Sequence, residues 1–238
     1  MTLLDAVKAC IESDAGENGR ISFQEFIDFR TGGAMDKPYV VYGQKGAGSV
    51  AVEAALLLLG EPYEVVDQPD DEVMARVSPL LQVPALVLPN EEVMTESAAI
   101  LIYLADSHPA ARLSPPLDDP RRPAFLRWMA YVSAQIYALV WATDDPARLA
   151  VDEAHKEVIR ARVRERMAYC WRMMDAQVSP GRYILGEDLS VLDLYVTVVS
   201  CWGPRRARFY QEAPKMAEVV RRVDQDSRLV ALWNERFR

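Results

Sequence analysis

The sequence predicts an α/β unit followed by an all-α helical domain, with a short helix-loop-helix in front of them. Three observations predict this order. Strand and helix patterns alternate between residues 39 and 113, long amphipathic patterns fill the chain from residue 124 onward, and the flexible TGGA at 31–34 separates the first segment from the rest. The expected domains are residues 1–34, 35–115 and 120–238.

Composition limits the class of protein. The chain has 238 residues, half of them hydrophobic, which is enough for one large domain or two small ones with a buried core. A formal net charge of -8 and a pI near 4.9 argue against nucleic acid or an anionic membrane as a partner, because both require a basic surface. Cys10, Cys170 and Cys201 lie far apart, so they predict neither a disulfide framework nor a zinc site. No stretch approaches the roughly 18 apolar residues of a membrane span, and a cytoplasmic protein is expected.

Each element of the α/β unit has its own signal. YVVYG, beginning at Tyr39, predicts a buried strand, SVAVEAALLLLG predicts a helix closed by Gly60, and PYEVVD predicts a second strand. A polar helix is expected at about 70–77. VPALVLPNEEVM then predicts a hairpin that turns at Pro89 and Asn90, and ESAAILIYLAD predicts a further helix.

The second half begins after the proline-rich SPPLDDPRRP at 114–123 and is expected to be helical. Its helices are predicted at roughly 124–142, 152–176, 190–202 and 214–236. Within LSVLD, Ser190 as N-cap and Asp193 three residues later form a predicted capping box, with Leu189 and Leu194 as a hydrophobic staple. These residues are expected to serve folding and not the active site.

The order of elements and four motifs resemble the cytosolic glutathione transferases of the bacterial type. The motifs are GAGS at the first helix, SPLLQVPAL before the hairpin, ESAAILIYLAD after it and LGEDLSVLDLY in the helical half, and the resemblance spans 38–238. It implies a thioredoxin-like α/β domain, glutathione as co-substrate, a small-molecule electrophile as the second substrate, and a homodimer. The alternatives are a glutathione-dependent reductase or lyase, and a non-catalytic calcium-responsive binding module on the same fold.

QVPAL is the first motif with an expected ligand role. A proline is tolerated at the start of a strand because its missing N–H costs least there, and a cis peptide before Pro84 would turn the Val83 backbone outward. The resemblance implies that Val83 pairs through its backbone with the cysteinyl amide of glutathione and that Gln82 contacts the glycyl end. The alternative is a proline that only shapes a turn.

TES at 95–97 leads directly into an apolar helix, so Glu96 and Ser97 are expected at its N-cap or in its first turn. A helix N-terminus offers unpaired N–H groups and a partial positive charge, which suit a carboxylate. The resemblance implies that Ser97 binds the γ-glutamyl carboxylate and Glu96 the ammonium of glutathione. Plain helix capping is the alternative, and both uses can coexist.

The resemblance places the chemistry where YGQKGAGS enters the first helix. A glutathione thiolate needs a hydrogen-bond donor, a helix N-terminus, or both. Cysteine-type members read PGACS here, so Gly48 stands in the cysteine position and no mixed disulfide with the enzyme is expected. Ser49 is the favoured donor, Tyr42 is the second candidate, and backbone N–H groups alone are the third. Ser49 as an N-cap and Tyr42 as a packing residue are the structural alternatives.

The second substrate is expected against the helix predicted at 124–142, whose aromatic residues are Trp128, Tyr131, Tyr137 and Trp141. Aromatic residues at helical spacing are more often core, and Tyr131 and Tyr137 are the weakly favoured pocket residues. Three arginines in PRRARF, near the end of another predicted helix, are expected to form a solvated basic turn, or else an anion contact for an acidic co-substrate; they are Arg205, Arg206 and Arg208.

DAGENGRISFQE at 14–25 matches the twelve-residue EF-hand calcium loop in most places. The expected calcium ligands follow the alternating spacing of that loop and are Asp14, Asn18, Arg20 through its carbonyl, Ser22 and Glu25. Gly16 stands at the third place, where a side-chain oxygen is expected, so one ligand and one charge are missing. The sequence predicts an EF-hand-like helix-loop-helix, with weak calcium binding as a further possibility.

Overall fold

The computed structural model describes residues 37–203 and 205–237, so the predicted helix-loop-helix and its calcium ligands lie outside the described residues. From Pro38 onward the chain forms one compact unit. No helix in the described part is long and apolar enough to cross a membrane.

The first half of this unit is a four-stranded sheet with three helices. Its elements are β1 Tyr39–Gly43, α1 Ser49–Leu59, β2 Tyr63–Asp67, α2 Asp71–Ala75, β3 Ala85–Val87, β4 Val93–Thr95 and α3 Ser97–Ser107. The strand order is β2-β1-β3-β4, in which β1 and β2 are parallel while β3 is antiparallel to both of its neighbours. The predicted α/β unit with its hairpin, of thioredoxin-like type, is confirmed.

Helix α1 is the centre of this domain because it packs against β1, against α3 and against a helix of the second half. Its residues from Ser49 to Leu56 are all buried, as the nearly continuous apolar run SVAVEAALLLL predicts. The helix ends at Gly60, whose φ of 75° is the left-handed conformation that glycine adopts without a Cβ penalty.

The second half is helical, as predicted. Its elements are α4 Arg122–Tyr131, a π-helical segment Val132–Tyr137, α5 Ala138–Asp144, α6 Glu153–Gln177, α7 Val191–Val199, α8 Arg205–Glu212, α9 Pro214–Asp224 and α10 Val230–Phe237. The single helix expected over 124–142 therefore contains a π-helical segment. The arginines of PRRARF begin α8 and do not end a helix, which corrects the predicted position.

The helix predicted over 214–236 is also wrong, because it is two helices, α9 and α10, with a turn between them. The Asp226 carboxylate accepts hydrogen bonds from the Arg228 backbone N–H at 3.0 Å and from its guanidinium at 2.6 Å. An aspartate that bonds the backbone two residues later competes with helix formation. The apolar periodicity continues on both sides of the turn, which is why the pattern alone predicts one helix.

The capping box before α7 is confirmed. Asp193 is fully buried, and its carboxylate accepts hydrogen bonds from the Ser190 N–H and from the Ile184 N–H, both at 2.8 Å. Burial raises the pKa of Asp193 to about 6, although these hydrogen bonds act in the opposite direction. Every residue of α7 is buried, so the box fixes the start of a helix in the core of the molecule.

Candidate active site

The sheet register brings the predicted motifs to one end of the sheet. Tyr42, near the end of β1, pairs with Ala85 at the start of β3, and Ala85 pairs with Thr95 at the end of β4. Val83, two residues before Ala85, and Ser97, two residues after Thr95, therefore extend from the same sheet end. We call this region the sheet-end site; it comprises Gln82, Val83, Glu96, Ser97 and the loop 44–48 between β1 and α1.

The Val83–Pro84 peptide bond is cis. Pro84 is buried, whereas Val83 is half-buried and Gln82 is exposed. Among the hydrogen bonds between described residues, none uses the backbone N–H or C=O of Val83. The Val83 backbone thus carries a donor and an acceptor that are available to an extended peptide-like ligand.

Glu96 and Ser97 form the start of α3. Glu96 has φ 67° and ψ 98°, which a residue other than glycine seldom adopts, and its side chain is exposed. No side-chain hydrogen bond caps α3, so the N–H groups of its first turn face the site without a capping oxygen. The Ser97 side chain is buried, and its Oγ lies 3.0 Å from Oη of Tyr195 in α7. The helical half therefore fixes the orientation of this serine.

Ser49 holds the β1–α1 loop closed. It is the first residue of α1 and not its N-cap, which is Gly48, so the N-cap alternative is wrong. Its hydroxyl is fully buried, accepts from the Gln44 N–H at 3.2 Å and donates to the Gln44 carbonyl at 3.3 Å. A Cβ on Gly43 would lie 2.4 Å from the Ser49 Oγ. This placement directs the hydroxyl into the protein, where the backbone of its own loop occupies it.

Tyr137, from the helical half, reaches the N-terminus of α1. A Cβ on Gly48 would lie 2.5 Å from the Tyr137 Oη, so the glycine leaves the space that the phenol fills. The Gly48 backbone N–H acts to lower the pKa of this phenol. Burial raises the pKa of Tyr137 well above its usual value, so its phenol stays protonated at neutral pH and keeps a proton to donate. The phenol therefore occupies the position at which cysteine-type members are expected to carry their cysteine.

Two further aromatic side chains surround this phenol. The ring centroid of Tyr137 lies 4.7 Å from that of Trp202 and 6.2 Å from that of Tyr195. Burial raises the pKa of Tyr195 to about 12, so this phenol is also neutral near pH 7. Tyr137 ends the π-helical segment Val132–Tyr137, and such segments occur frequently at functional sites.

Comparison with known proteins identifies the family. Residues 49–113 match the family model for the N-terminal domain of glutathione S-transferase. An uncharacterized GST-like protein of Escherichia coli K12, YncG, is 33% identical over 195 residues, which cover 78% of this chain and 92% of that protein. The chain belongs to the glutathione S-transferase family. The glutathione S-transferase GstA of Escherichia coli O157:H7 is 26% identical over 174 residues, or 68% of this chain and 81% of that protein.

A crystal structure of a glutathione transferase homologue from Sulfitobacter, determined with bound glutathione, superimposes on this member of the family with a TM-score of 0.74. The two are 26% identical, and the match covers 83% of this chain and 98% of the other. The likeness extends over both the sheet domain and the helical half, as the resemblance implies for residues 38–238.

The remaining predicted positions of this glutathione S-transferase lie in different surroundings. Tyr42 is half-buried and lies on the opposite face of β1 from the core residue Val41. Tyr131 donates to the Cys170 carbonyl at 3.0 Å, inside the helical half. Trp141, one helical turn after Tyr137, is 42% exposed. Of the two tyrosines expected to line a pocket, Tyr137 is the one at the sheet-end site.

Two of the three arginines of α8 are held by neighbouring groups. Arg206 donates to the Thr197 carbonyl at 2.9 Å and pairs with Asp224 at 3.0 Å. Arg208 pairs with Glu212 at 2.6 Å. These partners favour a structural role for the basic turn over an anion contact.

The sequence pattern did not point to Tyr195 or Trp202, and it favoured Tyr137 only as a residue of the second-substrate pocket. One signal was present for Tyr195: a buried tyrosine hydroxyl usually requires a partner, and Tyr195 falls within a largely apolar helix. Two surface concavities of about 230 and 260 Å³ lie elsewhere, beside Trp128 and beside Arg112. The candidate site of this glutathione S-transferase is defined here by its polar groups.

The described residues contain no group of three His, Cys, Asp or Glu side chains arranged to hold a metal ion. The predicted calcium ligands Asp14, Asn18, Arg20, Ser22 and Glu25 lie outside these residues.

Proposed function

We propose that the protein is a glutathione transferase, which binds glutathione at the sheet-end site and activates its thiol for transfer to a small electrophile. One observation carries the proposal: the register of β1, β3 and β4 brings the QVP, TES and GAGS motifs to one sheet end. Membership of the family, the transferase GstA among the relatives and the glutathione held by the Sulfitobacter homologue support it.

Glutathione would bind in an extended conformation. The Val83 N–H and C=O would pair with its cysteinyl amide, and Gln82, whose side chain is exposed, would contact the glycyl carboxylate. At the other end, the Ser97 hydroxyl and the first N–H groups of α3 would hold the γ-glutamyl carboxylate, since a helix N-terminus favours an anion. The exposed carboxylate of Glu96 would pair with the ammonium.

The thiol would then lie at the N-terminus of α1, and we propose Tyr137 as the main donor to the thiolate. A neutral phenol beside the Gly48 N–H offers an O–H donor at the positive end of a helix. The Ser49 hydroxyl is fully buried against Gln44, so its contribution would be to keep the loop closed. Tyr42 is kept as the second direct candidate because its side chain is only half-buried.

The reaction would be a nucleophilic attack by the glutathione sulfur. The thiol loses its proton to solvent, the thiolate forms a bond to the electrophilic carbon, and the leaving group departs with the electron pair of the broken bond. Gly48 in the cysteine position disfavours the alternative, a reductase that forms a disulfide with its own cysteine. Among the described cysteines, Cys170 is buried and thus shielded from a substrate, and burial raises the pKa of Cys201, which disfavours its thiolate.

The homodimer expected from the resemblance is part of the proposal. Large apolar side chains are exposed on the sheet domain, including Leu80, Leu81 and Tyr103. A second copy of the chain would remove such side chains from water, which stabilises an association.

The proposal is tested by calorimetric titration with glutathione and with ophthalmic acid, the analogue in which a methyl group replaces the thiol. Both are expected to bind, because the contacts at Val83 and Ser97 do not involve sulfur. Only glutathione is expected to react with an aryl halide such as 1-chloro-2,4-dinitrobenzene. Absence of binding heat for both ligands would overturn the proposed function.

Calcium binding at residues 14–25 stays a prediction from the sequence. Because Gly16 supplies no ligand, a dissociation constant of about 10⁻⁴ to 10⁻³ M is expected, and Gly16→Asp should tighten binding by restoring a charged oxygen. Glutathione transfer should not respond to a chelator, since no residue of the sheet-end site lies in the loop. Calorimetry that detects no calcium heat for the wild type or for Gly16→Asp would contradict the prediction.

A further inference from the structure

The backbone N–H and the backbone carbonyl of Gly46 are both hydrogen-bonded to residues of the helical half. The Gly46 N–H donates to the carbonyl of Arg236 in α10 at 2.9 Å. The Gly46 carbonyl accepts from the indole Nε1 of Trp202, which follows α7, at 2.6 Å. Gly46 has a φ of 72°, so the loop turns in a left-handed conformation at this residue. α10 and the segment after α7 thus both hydrogen-bond to one residue of the β1–α1 loop.

Arg236 is itself fastened to the sheet domain. Its guanidinium donates to Glu53 Oε1 at 3.0 and 3.2 Å and to Asp67 Oδ1 at 3.1 Å. The side chains of Arg236 and Glu53 are 5% and 2% exposed. Glu53 belongs to α1 and Asp67 ends β2, so the ion cluster ties α10 to the elements on both sides of the loop. This attachment keeps the Arg236 carbonyl in place as an acceptor for Gly46.

Trp202 has a second contact at the same point. While its Nε1 bonds to Gly46, its ring lies 4.7 Å from the ring of Tyr137. Gly46 lies two residues before Gly48, which packs against the Tyr137 phenol. The Trp202 indole therefore contacts both the β1–α1 loop and the Tyr137 ring.

We propose that Trp202 and Arg236 are positioning residues, which hold the β1–α1 loop and Tyr137 in the geometry that activates the glutathione thiol. This inference rests on the proposed function. Arg236 acts through Gly46, Trp202 acts through Gly46 and the ring of Tyr137, and neither is required for the contacts at Val83 and Ser97. A small displacement of hydrogen-bond donors strongly reduces their stabilisation of a developing charge. Loss of the contacts to Gly46 should therefore impair thiol activation more than it weakens glutathione binding.

The test compares Trp202→Phe with Trp233→Phe. Phenylalanine keeps an aromatic ring at position 202 but removes the donor to Gly46. Trp233 lies in α10 and donates its indole N–H to the Val223 carbonyl at 3.2 Å, so the control loses the same type of bond without touching the loop. The measurements are the ultraviolet absorbance of the bound thiolate against pH, the affinity for ophthalmic acid, and hydrogen exchange of the Gly46 amide in the free protein.

Trp202→Phe is expected to lower the thiolate fraction near neutral pH roughly two- to tenfold, the effect of one lost hydrogen bond. Affinity for ophthalmic acid should change less than twofold, and the Gly46 amide should exchange faster. Arg236→Lys, which keeps a cation beside Glu53 but loses the two-nitrogen contact to Glu53 and the bond to Asp67, should act in the same direction. Trp233→Phe should leave the thiol pKa unchanged.

An unchanged thiol pKa in Trp202→Phe, in a preparation whose wild type binds glutathione and lowers its thiol pKa, would overturn the inference alone. An equal shift in Trp233→Phe would also overturn it, because general loosening of α10 would then explain the effect. If the wild type binds neither glutathione nor ophthalmic acid, the proposed function fails and the inference fails with it.

Discussion

Tyr137→Phe is expected to raise the pKa of enzyme-bound glutathione by about one to two units. A hydrogen bond to a charged group is worth about 1.5–3 kcal/mol, and one pKa unit corresponds to about 1.4 kcal/mol. The sign follows from which form is stabilised: the phenol donates to the thiolate and not to the thiol, so removing it favours the protonated form. At neutral pH the thiolate fraction, and with it kcat/KM, should fall about 10- to 100-fold and recover as the pH is raised.

Tyr131→Phe is the matched control. Tyr131 lies in the same helical stretch and also donates its hydroxyl to an oxygen, the Cys170 carbonyl at 3.0 Å, but this bond is inside the helical half. Its loss should lower stability without moving the thiol pKa. Ser49→Ala and Tyr42→Phe complete the series, measured by thiolate absorbance against pH. If either raised the thiol pKa more than Tyr137→Phe does, the donor would be reassigned to that residue.

Ser97→Ala is expected to weaken the binding of ophthalmic acid about 10- to 100-fold, through loss of a hydrogen bond to the γ-glutamyl carboxylate. Binding the sulfur-free analogue separates this effect from thiol activation. Glu96→Gln should act in the same direction because it removes the partner of the ammonium. Calorimetry on folded variants, with circular dichroism to verify folding, measures both changes.

Tyr195→Phe distinguishes a ligand contact from a structural role of Ser97. Ser97→Ala and Tyr195→Phe both remove the 3.0 Å bond between Ser97 Oγ and Tyr195 Oη, but only the first removes the hydroxyl offered to the ligand. Tyr195→Phe is expected to weaken binding less than threefold. Equal losses of affinity in the two variants would show that Ser97 acts only by anchoring α3.

Most of the sheet-end site could be predicted from the sequence because its motifs are local. Val83 precedes a proline that stands directly before a strand, and Ser97 begins an apolar helix, so each position follows from neighbours within a few residues. Val83 and Ser97 come together because β3 and β4 pair as one hairpin, and a hairpin joins segments that are close in the sequence. The same holds for the capping box at Ser190 and Asp193.

The contribution of the helical half could not be predicted in the same way. Tyr137 meets Gly48, and Trp202 meets Gly46, only because two domains pack together, and no local pattern encodes such contacts. The direction of the Ser49 hydroxyl could not be predicted either, because the motif places it near the helix start but the backbone of Gln44 holds it. The turn at Asp226 was not predicted because an amphipathic pattern can continue across an interruption between two helices.

Because Tyr137 lies close to Gly48, the residue at either position restricts which residue fits at the other. A side chain at position 48 begins with a Cβ only 2.5 Å from the phenolic oxygen, so a cysteine there requires the Tyr137 side chain or the loop to move. A smaller side chain at position 137 would open the space that a cysteine at position 48 needs. Positions 48 and 137 are far apart in the sequence, but we expect them to change together because their side chains compete for one space at the N-terminus of α1.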